Sequence, residues 1–143
     1  MIHIEYAPGR TRGEGRLSEV VVKKTAQAVS RALKLKESFT ISLALIDGPS
    51  MRRLNGFFRG KDAVTDVLAF AYAPEQAPGA FGEVLICPSR AREQAKEVGR
   101  ALQDEMIELL VHGLLHVFGH DHIKTKDALV MLPLQQKILK TLL

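Results

Sequence analysis

Two spacings of apolar residues divide this chain into elements, one of two positions and one of three to four. Residues 2–6 alternate apolar and polar and predict a short strand. Over 17–35, Leu17, Val20, Val21, Ala28, Val29, Ala32 and Leu33 recur at helical spacing, which predicts a long amphipathic helix with Ser18 as its N-cap. Lys23, Lys24, Arg31 and Lys34 form its wet face. Residues 39–46 are apolar with β-branched members and predict a strand buried on at least one face. Asp47-Gly48-Pro49-Ser50 is a turn that starts a short helix over 51–58, with proline in the first turn. Arg59 to Asp62 then reads as a polar loop, 67–72 as a third strand, 74–80 as a flexible connection and 81–87 as a fourth strand. Ser89 is the expected N-cap of the next helix and Gly99 its stop. That helix has little apolar surface, so it is expected to lie exposed. Residues 102–111 are rich in helix formers, and 128–142 form a last helix that Pro133 should kink or delay. The order implies one α+β domain over 1–143, a small mixed four-stranded sheet covered by helices. Strand order does not follow from such patterns.

Composition narrows the class without naming an activity. A hydrophobic fraction of 46% and a charged fraction of 25% are those of a globular protein, and 143 residues suffice for a real core. The net charge of +4 permits nucleic-acid binding without requiring it. Cys87 is the only cysteine, which excludes an intramolecular disulfide and suits a reducing compartment; it is expected to be a small buried residue. The first residues lack the layout of a signal peptide, and no apolar run approaches the roughly 20 residues of a membrane span. A cytoplasmic location is the expectation, with no membrane partner.

Residues 112–122, HGLLHVFGHDH, hold all the histidines except His3. On a helix, His112 and His116 are neighbours one turn apart and can share one metal ion at roughly 2.0–2.1 Å per nitrogen. Gly119 stands where a helix end favours a residue that tolerates positive φ, so the chain can turn back and bring His122 to the same ion. Three imidazoles with a fourth position open to water make a catalytic site at the end of a helix. The spacing H-x-x-x-H-x-x-G-x-x-H matches a zinc-protease signature, but the position of the protease's glutamate base is Gly113, which cannot move a proton. His120 is expected to face the cleft or pack beside it rather than ligate. Asp121 either orients a ligand imidazole through its second nitrogen or caps the turn. Glu105 and Glu108 share the stripe of His112 and read as solvated carboxylates before supporting groups for the metal.

HGLLHVFGHDH resembles the motif H-G-x-L-H-x-x-G-Y-D-H of the YbeY family of bacterial ribosomal-RNA maturation endoribonucleases. Residues 54–70, LNGFFRGKDAVTDVLAF, are similar to that family's L-N-x-x-[YF]-R-x-K-D-x-x-T-D-V-L-S-F block, and residues 82–87, GEVLIC, to its G-D-[ILV]-x-I-[SC] strand. Met131 stands where members usually carry a methionine. The resemblance covers most of the chain after about residue 39. It implies a metal-dependent, single-strand-specific endoribonuclease that matures the 3′ end of small-subunit ribosomal RNA and serves ribosome quality control. His112, His116 and His122 then hold one Zn2+ per chain, with nickel or another divalent metal as an option, and Arg59 is a functionally required arginine. The partners implied are ribosomal RNA and the small ribosomal subunit, not DNA. Departures from the pattern are His120 for the family tyrosine, Glu83 for an aspartate, Ala69 for a serine, and Lys124, Thr125 and Lys126 in a usually acidic stretch.

In that chemistry the metal lowers the pKa of water towards about 7, which makes a protein base dispensable and Gly113 tolerable. Arg59 can offer a bidentate fork to the phosphate, although an arginine in a polar loop is by itself an ordinary surface residue. Gly113 either lets an RNA backbone approach or lets the helix pack closely. Two routes stay open: hydroxide attack leaving a 5′-phosphate, which is favoured, or attack by the RNA 2′-hydroxyl leaving a cyclic phosphate. The competing assignments are a zincin-like metalloprotease and a zinc-stabilised, non-catalytic ribosome-binding module.

Overall fold

Alternation along the first strand sets the architecture. Ile2 is buried, and Ile4 and Tyr6 are half-buried, while His3 and Glu5 face solvent, so β1 (Ile2–Ala7) lays one face on a core. The computed structural model describes residues 1–73, 79–120 and 123–143. β1 pairs in parallel with β2 (Phe39–Leu45), and β2 in parallel with β4 (Gly82–Ile86); β3 (Val67–Ala71) closes the sheet antiparallel to β4. The spatial order is β1-β2-β4-β3, so the mixed four-stranded sheet expected from the sequence is present. A parallel pair needs a crossover, and α1 (Glu19–Ala32) supplies the one between β1 and β2.

The two faces of the sheet bury different sets of residues. Ile41, Leu43 and Leu45 of β2 join Val84 and Ile86 of β4 in the large core shared with α1, with α4 (Leu102–Val117) and with α5 (Thr125–Leu142). The opposite face holds a smaller cluster, Met51, Leu68, Leu85 and Cys87, with Leu54 and Phe70 packed against it; Met51 and Leu54 come from α2 (Gly48–Arg59). α4 is the central helix, with Met106, Leu110, Leu114 and Leu115 fully buried. α3 (Pro88–Val98) packs beside it.

Several boundaries differ from the sequence expectations, each for a local reason. α3 begins at Pro88 with Cys87, not Ser89, as its N-cap, because proline has no N–H to satisfy and fits the first helical position. The same helix is exposed along most of its length, yet Pro88, Ala91 and Ala95 are buried, since small residues let it approach α4 closely. On α1, Ser18 does cap, accepting from the Val21 N–H at 3.2 Å; Val20, however, points outward and Val22 takes its place in the core. α5 starts at Thr125, ahead of Pro133, so the proline does not delay it. α2 runs to Arg59, one residue into the expected polar loop. Of the connection expected at 74–80, residues 74–78 lie outside the described residues.

Candidate functional site

α4 delivers its histidines on its last turns. The rings of His112 and His116 lie with centroids 4.7 Å apart and planes at 66°. The helix then stops as its sequence predicts. Gly119 takes φ +91°, its N–H donates to the His116 carbonyl at 2.9 Å, and the His120 N–H donates to the Leu115 carbonyl at 3.0 Å. This pair of bonds satisfies two carbonyls the helix end would otherwise leave open, and the backbone they need suits glycine. His120 is half-buried in that turn and is not among the described residues lining the cleft over the histidines. Asp121 and His122 lie outside the described residues.

The cleft has a volume of about 400 Å³, and Arg59, Asp66, Glu108, His112, His116 and Gln135 are among the residues lining it. Gln135 was not a candidate on sequence grounds. It is buried on α5, and its Oε1 lies 2.8 Å from Nδ1 of His112. An amide oxygen can only accept, so this contact favours the tautomer with the proton on Nδ1 and the lone pair on Nε2. This is how an imidazole is prepared for a metal ion, with the second nitrogen fixed by a neighbouring acceptor. No spacing rule could have found Gln135, which is 23 residues away on another helix.

Arg59 is the last residue of α2 and is exposed, with Gly60 as the C-cap at φ +68°. The chain after it is held in place by its own side chains. Arg52 binds Asp62 through Nε–Oδ1 at 2.6 Å and Nη2–Oδ2 at 3.0 Å, and the Asn55 amide donates to the Ala63 carbonyl at 2.9 Å. The Cys87 N–H donates to the Asp66 carbonyl at 2.8 Å, which fixes the approach to β3. Arg59 and the histidine pair, 53 residues apart in sequence between Arg59 and His112, thus line one cleft.

Gly113 also touches the cleft, but its packing explains its identity. A Cβ there would lie 2.7 Å from Cγ1 and 3.2 Å from Cγ2 of Val84, so only glycine lets α4 sit this close to β4. Of the two roles expected for Gly113, the structure displays the close helix packing. Glu105 and Glu108 are not solvated carboxylates. Glu105 is only 8% exposed, and both reach the Arg100 guanidinium, at 3.5 Å and 2.7 Å. Burial pushes the Glu105 carboxyl above its usual range; Arg100 pulls it back, while Glu108 and Asp66 add to the rise.

No helix among the described residues is long and apolar enough to cross a membrane. Against known proteins, residues 12–143 match the family model described as Endoribonuclease YbeY. A protein of that name from Myxococcus xanthus is 41% identical over 131 residues, which is 89% of this chain and 44% of that longer protein. One from Carboxydothermus hydrogenoformans is 37% identical over 127 residues, 88% of this chain and 89% of its own length. The solution structure of TM1509 from Thermotoga maritima aligns at a TM-score of 0.65 with 26% identity, covering 99% of this chain and 89% of that one. The match takes in the arginine at the end of α2, the glycine packed on β4 and the histidine helix alike, and the chain belongs to the YbeY endoribonuclease family.

Proposed function

We propose that this protein is a metal-dependent endoribonuclease that cuts single-stranded ribosomal RNA near the 3′ end of the small-subunit RNA. One zinc ion would be held by His112, His116 and His122. The observation that carries this reading is the meeting of the histidine pair with Arg59 in one cleft. The donor set fits such an ion: two imidazoles lie one helical turn apart, and Gln135 engages His112 through Nδ1, the nitrogen that would not ligate. When bound, the ion supplies Lewis acidity and an acidified water, so no carboxylate base is required.

The chain's own residues divide the remaining work. Arg59 is exposed at the rim and carries a planar fork that matches two phosphate oxygens, so it orients the phosphodiester and meets charge as it builds. Gln135 holds the His112 ring and its proton in place. Arg100 engages Glu105 and Glu108, which limits the negative charge that an incoming phosphate meets on that wall.

The peptidase alternative loses further ground at Gly113. Any side chain at that position starts towards Val84, so a glutamate base has no room without displacing the sheet contact. Arg59→Ala is the direct test of the nuclease arrangement. Cleavage of a single-stranded ribosomal RNA fragment should fall by about 100-fold or more, with metal stoichiometry and melting temperature unchanged. Undiminished cleavage would remove Arg59 from the mechanism. A wild-type protein that associates with ribosomes but cuts no RNA under any metal would instead support the binding-module reading.

A further inference from the structure

We propose that Phe57 and Phe58, at the C-terminal end of α2, form a stacking platform for an unpaired base of single-stranded RNA entering the cleft. This inference rests on the RNA-cutting reading of the cleft. Phe57 is 82% exposed and Phe58 is 52% exposed, an unusual placement for two adjacent phenyl rings on a helix. They are not loose. The Phe58 ring packs against Phe70 of β3 with centroids 4.7 Å apart, and against Phe57 at 4.9 Å with planes at 87°. The sheet thus holds Phe58, Phe58 holds Phe57, and the outer ring remains open to solvent.

The surroundings select the occupant. Phe58 directly precedes Arg59, which lines the histidine cleft, so the platform stands at the same end of α2 as the cleft's arginine. Arg53 lies one turn before Phe57 on the same helix face, and Lys61 follows Arg59; both are exposed. Of the two acidic residues in the following loop, Asp62 is paired with Arg52 at 2.6 Å, and Asp66 lines the cleft itself. Rings for base faces set among cations for phosphates are the combination used by proteins that bind single strands without reading their sequence. A protein partner would call for a broader apolar surface with fewer charges. The platform therefore receives the base of a nucleotide beside the scissile phosphate while Arg53 and Lys61 attract its backbone.

The chain contains no tryptophan, so Phe57→Trp introduces a single fluorophore at the platform. Its emission should be quenched on adding a non-cleavable single-stranded RNA, and an abasic RNA of the same length should quench far less. In parallel, Phe57→Ala should weaken binding of the intact RNA by about tenfold while leaving the abasic RNA's affinity unchanged. Equal behaviour of the two RNAs, or wild-type affinity in Phe57→Ala, overturns the platform. So does a loss of self-association in Phe57→Ala measured by light scattering, which would make the patch a contact between copies of the chain. A wild-type protein that neither binds nor cuts RNA defeats the reading of the cleft, and the platform with it. A wild type that cuts normally while Phe57→Ala keeps wild-type affinity for the intact RNA defeats the platform alone.

Discussion

At the scale of single residues, the proposed metal site depends on a neighbour that would not itself be a ligand. Gln135 favours a proton on Nδ1 of His112. Gln135→Leu should therefore weaken zinc affinity about 10–100-fold in competition with a chelator, while Gln135→Glu, which keeps an acceptor, should retain it. Nitrogen NMR of the metal-free protein should show the Nδ1–H tautomer of His112 in the wild type and a mixture in Gln135→Leu; unchanged affinity and tautomer would show that Gln135 merely packs. Glu105 gives a second prediction, on stability. Its folded form holds a proton to higher pH than the unfolded chain does, chiefly through burial. Stability is then shed as pH rises from the ordinary carboxylate range through the raised value. Glu105→Gln removes that slope and leaves Arg100 paired with Glu108, so its melting temperature should gain on the wild type as pH rises above the ordinary carboxylate range. Parallel curves would contradict it. The placement of His112, His116 and Gly119 was legible in the sequence because it is local, one helix and the turn that ends it. Gln135 and the burial of Glu105 were not, because both are made by contacts between helices.

Elements explain why the site has the shape it has. α4 carries the histidines against the sheet, and its depth is set where Gly113 meets Val84. Gly113→Ala should cost about 1–3 kcal/mol through overpacking. In a Val84→Ala background the same change should instead stabilise by up to about 1 kcal/mol, the ordinary helix preference for alanine. Thermal denaturation of the four proteins decides between this and a role for Gly113 in RNA approach, which would leave stability untouched and alter binding. The positions of strands and helices were largely readable from apolar spacing. Helix ends were less so. Pro88 moved one cap, and α2 extends to Arg59 because Gly60 beyond it can take a positive φ. That extension matters, since it places the guanidinium at the end of a rigid element instead of in a loop.

On the scale of the whole molecule, the sheet order β1-β2-β4-β3 puts β3 at an edge, against α4 and, through Phe70, against Phe58 at the end of α2. That order could not be read from the sequence, because the pairing of β2 with β4 skips β3 and depends on which faces the helices cover. It is also what brings Arg59, Asp66 and His112 into one cleft from segments far apart in the chain. The proposed chemistry stands or falls on one metal ion, held by imidazoles on α4 and needed to break RNA. The most direct measurement is metal content and cleavage of single-stranded ribosomal RNA for wild type and His116→Ala, with equal folding checked by circular dichroism. The wild type should carry one zinc per chain and cut the RNA, and the variant should do neither. Full cleavage by a metal-free His116→Ala protein would contradict it.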